Sequence, residues 1–81
     1  MTDEEKIKQT GALVGRLRRE ARVNPVRVSR LMGKAATYME DVESGAIAVE
    51  LDDFIVICRI LGIDPRVGLE RLIALREAEE P

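Results

Sequence analysis

The order of asparagine, proline and glycine between residues 24 and 45 constrains the fold of this 81-residue chain more than any other feature. Asn24-Pro25 is a helix-start signal, because asparagine caps the free amides of a first turn and proline is already set for the first helical position. Gly33 supplies the positive φ that a sharp turn after a helix commonly needs, and Gly45 provides a second stop. The segment is therefore expected to form two short helices joined by a tight turn.

Apolar spacing and similar start signals predict three further helices. Ile7, Val14 and Leu17 share one face of the first. The helix that begins near Glu50 is apolar on more than one side, as expected for the most buried helix of a small bundle, and Asp64-Pro65 repeats the cap-and-proline start. The five predicted helices cover about residues 3–22, 25–32, 35–44, 50–61 and 65 into the acidic tail. The patterns predict an all-α fold, a compact five-helix domain that spans residues 1–81.

The inventory of reactive side chains argues against an enzyme. The chain has no histidine, and its one cysteine, Cys58, lies in an apolar segment where a small buried hydrophobe is the expected role. No cofactor loop is found, and a metal site with His or Cys ligands cannot be assembled. The carboxylates are numerous enough to allow a magnesium site. The simpler alternative is that they form a solvated acidic surface. No apolar run is long enough to span a bilayer and the N-terminus is acidic, so we expect a cytoplasmic protein.

Three stretches of the sequence, LRREARVNPVRVSRLMG, MEDVESG and LDDFIVICRILGIDP, resemble the Cro/cI-type helix-turn-helix family, also called the XRE or lambda-repressor-like family. The similar register runs without a gap from residue 13 to residue 64. The resemblance implies a lambda-repressor-like DNA-binding domain with its helix-turn-helix core at about residues 24–45. It also implies that Arg18 and Glu43 form a partly buried ion pair that braces the core, and the alternative is an ordinary surface pair.

The resemblance places the DNA-facing positions at the start of helix two, on the exposed face of helix three and in the loop after it. Base-reading candidates are Ala36, Thr37, Tyr38 and Asp41. Ala36 and the Thr37 methyl group suit thymine methyl groups, and the Thr37 and Tyr38 hydroxyls suit a base edge or a phosphate. Asp41 either accepts from a cytosine amino group or repels the DNA backbone. The face lacks the Arg, Gln or Asn side chains that read guanine and adenine with two hydrogen bonds.

Charge is strongly segregated along the chain. Residues 16–34 hold seven basic residues and one acidic residue, whereas residues 35–81 hold eleven acidic residues and four arginines. Such segregation creates a local positive field in an acidic protein, and phosphate contacts supply most of the non-specific affinity of DNA-binding proteins. The alternative is a solvated charged face. The phosphate-contact candidates are Asn24, Arg27, Arg30 and Lys34.

The function predicted from these observations is a sequence-specific regulator of transcription that represses phage, prophage, mobile-element or own-operon promoters. Useful affinity then requires a homodimer on duplex DNA, and Leu69, Leu72 and Ile73 on the last helix are the dimerisation candidates, with packing on helix one as the alternative. The competing function is an antitoxin or a protein-interaction module that reuses the fold. Its acidic C-terminal half would contact a basic protein through residues that include Glu40, Asp41, Glu77, Glu79 and Glu80.

Overall fold

A computed structural model describes residues 1–79, and over that range the chain forms five helices and no strand. These helices are α1 (Asp3–Ala21), α2 (Pro25–Leu31), α3 (Tyr38–Ser44), α4 (Leu51–Ile60) and α5 (Pro65–Glu79). The predicted all-α, five-helix fold is confirmed. None of the helices in the described part of the chain is long and apolar enough to cross a membrane.

Local capping chemistry defines the start and the end of α2. The Asn24 side chain accepts a hydrogen bond of 2.8 Å from the Val26 amide, and Pro25 occupies the first helical position. After the helix, Gly33 adopts a φ of +70°, and the Lys34 amide donates to the Ser29 carbonyl at 2.9 Å. This C-terminal closure satisfies carbonyls that the helix itself leaves free.

The third helix begins three residues later than the sequence pattern indicates, and the prediction of a start at Ala35 is wrong. Gly33 and Lys34 form the C-terminal closure of α2. Residues 35–37 are then needed to turn the chain toward the next helix. Ala36 and Thr37 lie in that turn, and Thr37 makes no side-chain capping bond. Two candidate base-reading residues therefore precede α3 instead of lying on its face.

Residues of α1, α2, α3 and α4, together with Leu61 at the end of α4, form the core. Its fully or nearly buried apolar residues are Leu13, Val14, Leu17, Val28, Met39, Val42, Phe54, Ile57, Cys58 and Leu61. Gly11 brings α1 and α3 into backbone contact, because a Cβ atom at this position would collide with the Val42 carbonyl oxygen. Glycine is thus required for the approach of α3, which carries the candidate binding face.

Relative to its length, α4 is at least as buried as any other helix, as its apolar pattern predicts. Three of its ten residues are buried, against five of the nineteen residues of α1. Leu51 at the start of α4 is 63% exposed and Val56 is 40% exposed. The apolar residues on more than one side of α4 therefore leave part of its surface in contact with solvent.

Candidate nucleic-acid interface

A buried serine fixes the crossing of α2 and α3. The Ser29 side chain is fully buried, and its hydroxyl donates to the Pro25 carbonyl one helical turn earlier, at 3.0 Å. The same oxygen accepts a bond of 3.0 Å from the Met39 amide at the start of α3. Because a free amide at a helix start needs an acceptor, Ser29 stabilises the position of α3 against α2. The two helices and the turn between them, residues 24–45, therefore pack as one helix-turn-helix unit.

An ion pair between Arg18 and Glu43 joins this unit to α1. The Arg18 guanidinium donates to both carboxylate oxygens of Glu43, at 2.6 Å and 3.0 Å, and to the Val23 carbonyl at 3.0 Å. Each charged side chain is 15% exposed. The hydrogen bonds to Glu43 raise the pKa of Arg18, with a smaller opposing effect of burial. Glu43 is thereby neutralised by Arg18 and adds no free negative charge to the surface of α3.

Two arginines on α2 present free positive charge beside the helix-turn-helix crossing. Arg27 and Arg30 are exposed and line an open cleft of about 540 Å³ with Asn24, Val26 and Leu31. Within the described residues, no carboxylate lies within 4.0 Å of either guanidinium. The side-chain oxygen Oδ1 of Asn24 caps α2, and the side-chain NH2 group is left to donate to a phosphate. The cleft therefore combines two unpaired cations with a partly apolar floor.

The fourth phosphate-contact candidate, Lys34, already has an intramolecular partner. Its ammonium lies 3.4 Å from Asp53 Oδ2 in the first turn of α4 and 5.3 Å from the centroid of the Tyr38 ring. The Tyr38 hydroxyl donates to the same Asp53 oxygen at 3.3 Å. Burial, followed by the charge and hydrogen bond of Asp53, raises the pKa of Tyr38 to about 12. The hydroxyl of the half-buried Tyr38 thus has a partner on α4, and it would have to leave Asp53 to donate to a base edge.

The exposed surface near the start of α3 is small and partly acidic. Ala36 and Thr37 are exposed in the preceding turn, and Asp41 is half-buried on the helix. Glu40 is exposed beside Asp41, although it is not among the predicted base-reading residues. Helical spacing from the observed start at Tyr38 would have placed Glu40 on this face. The two carboxylates make a contact with a phosphate backbone costly unless a hydrogen-bond donor meets them.

Further arginines extend the positive surface along α1. Arg16 and Arg22 are exposed, and neither lies within 4.0 Å of a carboxylate in the described part of the chain. Arg19 is 63% exposed and lies 3.8 Å from Glu43, which is already paired with Arg18. The cationic residues of α1 and α2 therefore remain mostly solvent-facing, in the segment where the sequence concentrates positive charge.

The three dimerisation candidates on α5 divide between the core and the surface. Leu72 packs against the core, whereas Leu69 and Ile73 are 39% and 47% exposed. The exposed Leu51 extends this apolar surface, because Leu51 and Leu69 line one groove between α4 and α5. Leu51 belongs to the apolar pattern that predicts α4, and that pattern alone does not reveal its exposure. Only Leu69 and Ile73 of the three candidates remain available to a partner.

The described residues contain no group of three or more His, Cys, Asp or Glu side chains that could hold a metal ion. Comparison of the sequence with protein-family models and with curated proteins gives no significant match. The geometry of the helix-turn-helix unit and its charges are therefore the observations that bear on function.

Proposed function

We propose that the chain is a Cro/cI-type helix-turn-helix domain that binds duplex DNA and regulates transcription. The observation that carries the proposal is the exposure of Arg27 and Arg30 on α2, which form no ion pair within residues 1–79 and lie beside the crossing of α2 and α3. Guanidinium groups donate several hydrogen bonds in a planar array that suits phosphate oxygens. The Ser29 hydroxyl and the Arg18–Glu43 pair fix the geometry that such contacts require.

In this mechanism, contacts that hold the DNA and contacts that read it come from different elements. Arg27 and Arg30 on α2 bind phosphates and set the orientation of the domain. The turn before α3 brings Ala36 and Thr37 toward thymine methyl groups, and Asp41 accepts from a cytosine amino group. Because α3 contributes no cation, affinity depends on the arginines of α2 and α1. The acidic face of α3 instead disfavours sites that offer no hydrogen-bond donor to Asp41.

Repression would follow from occupancy of a promoter by a homodimer. Leu51, Leu69 and Ile73 give α4 and α5 an exposed apolar surface that a second copy could bury. A two-fold dimer binds two half-sites about one helical turn of DNA apart, roughly 34 Å. The proposed targets are phage, prophage, mobile-element or own-operon promoters, and the proposed location is the cytoplasm.

The second candidate function is a protein-interaction module such as an antitoxin. It is favoured by the exposed Glu40 on α3 and by Glu77 and Glu79 at the end of α5, which together suit a basic partner protein. Glu80, the remaining acidic residue predicted for this contact, lies outside the described residues. On this alternative the arginines of α2 would serve solubility or a separate contact.

Selection of bound sequences from a random duplex pool tests the DNA-binding proposal. We expect enrichment of a palindrome, at salt near physiological concentration, because specific complexes outcompete bulk DNA under that condition. Thr37→Ala and Asp41→Ala should change the enriched sequence, whereas Arg27→Ala should weaken binding to all sequences alike. A pool that shows no enrichment over bulk DNA would contradict the proposal and favour the interaction module.

A further inference from the structure

The cluster of Lys34, Tyr38 and Asp53 joins the helix-turn-helix unit to α4 at one carboxylate oxygen. Asp53 Oδ2 faces the Lys34 ammonium at 3.4 Å and accepts from the Tyr38 hydroxyl at 3.3 Å. Lys34 occupies the turn between α2 and α3, where a bound phosphate would be the natural partner of its charge. We propose that Asp53 competes with DNA phosphate for the Lys34 ammonium and thereby weakens DNA binding. This inference rests on the proposed function.

The geometry of the contact between Lys34 and Asp53 allows a phosphate to replace the carboxylate at the Lys34 ammonium. Their side chains are 39% and 26% exposed, and the 3.4 Å separation is longer than a strong charged hydrogen bond. Exposed pairs of this kind contribute little to stability, so a phosphate can replace the carboxylate at low cost. Lysine carries a compact charge on a flexible four-carbon chain, which allows the ammonium to change partners without a backbone movement. Lys34 is therefore held by Asp53 but not buried with it.

Tyr38 contacts both members of the ion pair, Asp53 through its hydroxyl and Lys34 through its ring. Its hydroxyl continues to donate to Asp53 after the ammonium leaves, so the carboxylate is not left without a partner. Its ring, with the ammonium 5.3 Å from the centroid, adds a cation–π attraction that favours the position of Lys34 in the DNA-free state. Tyr38 thus positions Lys34 and Asp53, a role different from the base reading that the sequence predicts.

The Asp53→Asn variant tests the competition because it removes the charge and keeps an oxygen that can accept from Tyr38. We expect it to bind the selected duplex about two- to five-fold more tightly than the wild type, the range of an exposed ion pair. In a Lys34→Met background the same substitution should give no such gain. Asp52→Asn is the matched control, since Asp52 is exposed in the same first turn of α4 and makes no ion pair among the described residues. Its effect should be smaller and independent of Lys34.

A second measurement needs no DNA. Tyr38 is the only tyrosine of the chain and there is no tryptophan, so ultraviolet absorbance reports the ionisation of this one phenol. The pKa of Tyr38, raised to about 12 by burial and by Asp53, should fall in Asp53→Asn and stay unchanged in Asp52→Asn. Circular dichroism over the same pH range shows whether the helices persist. An unchanged Tyr38 pKa in folded Asp53→Asn would contradict the cluster itself.

The outcomes separate this inference from the proposed function. A wild type that binds no duplex would overturn both, whatever the tyrosine titration shows. A wild type that binds, with a gain from Asp53→Asn that persists undiminished in the Lys34→Met background, would overturn the competition alone. Asp53 would then act only as a repelling charge. Weaker binding by Asp53→Asn would also overturn it, because the carboxylate would then support the binding surface.

Discussion

Replacing Glu43 by glutamine removes one charge from the ion pair that joins α1 to α3 and leaves the size of the side chain unchanged. In the wild type the Arg18 guanidinium donates to both carboxylate oxygens, and each side chain is only 15% exposed. The glutamine amide keeps one acceptor oxygen but places a donor group opposite the guanidinium. The charge of Arg18 then lacks its counter-ion in a mostly desolvated position.

The expected loss follows from these contacts. Breaking a fully buried pair costs roughly 3–5 kcal/mol. Arg18 keeps its bond to the Val23 carbonyl and the pair keeps some access to water, so we expect a loss of about 1–3 kcal/mol for Glu43→Gln. For a domain of this size each kcal/mol lowers the melting temperature by about 4–8 °C. The predicted decrease is therefore roughly 4–24 °C.

Thermal unfolding followed by circular dichroism, together with urea denaturation, measures this loss. Glu20→Gln is the matched control, because the Glu20 carboxylate also accepts two hydrogen bonds from one arginine, here from the two terminal nitrogens of Arg71 at 3.0 Å and 3.2 Å. These side chains are 53% and 38% exposed, so this substitution should have only a small fraction of the effect. Equal effects of the two substitutions, or no effect of Glu43→Gln, would refute the claim that burial makes the α1–α3 pair a brace.

Three further predictions concern the packing and the pH dependence of the fold. Gly11→Ala should lower the free energy of unfolding by about 1–3 kcal/mol in urea denaturation, because the added methyl group collides with the Val42 carbonyl. Ser29→Ala should cost a similar amount, about 1–3 kcal/mol, by leaving the buried Met39 amide without an acceptor; a loss below about 0.5 kcal/mol would contradict this role. The hydrogen bonds from Arg71 lower the pKa of Glu20. The ionised Glu20 carboxylate therefore stabilises the folded state at pH values above the ordinary carboxyl pKa. The difference in melting temperature between wild type and Glu20→Gln should therefore close as the pH falls from about 4.5 through the lowered value, and a difference that widens in acid would contradict the pairing.

Helix boundaries that depend on neighbouring residues could be predicted from the sequence. Asn24-Pro25 starts α2 because the cap and the ring act within one turn. The positive φ at Gly33 and Gly45 could be inferred because no side chain favours that conformation as glycine does. The start of α3 could not be predicted in this way, because the Met39 amide is bound by Ser29, a residue ten positions earlier in the chain.

The composition of the candidate site could be predicted better than the directions of its side chains. The arginines of α2 are exposed, as the charge pattern and helical spacing indicate. The orientation of Tyr38 depends on Asp53, which lies fifteen residues away on α4, and periodicity within α3 contains no information about that contact. The difference on α5 between the half-buried Leu72 and the exposed Ile73 likewise depends on how the helix packs against the core.

The salt dependence of duplex binding tests the central claim most directly. The logarithm of the association constant falls with the logarithm of salt concentration, with a slope of about 0.9 per neutralised phosphate. An Arg27→Ala/Arg30→Ala double variant should therefore lose about two units of slope and bind more weakly to every duplex. Arg59→Ala, which removes an exposed arginine on α4, should leave the slope unchanged. A double variant that retains the wild-type slope would contradict the assignment of α2 as the surface that holds DNA.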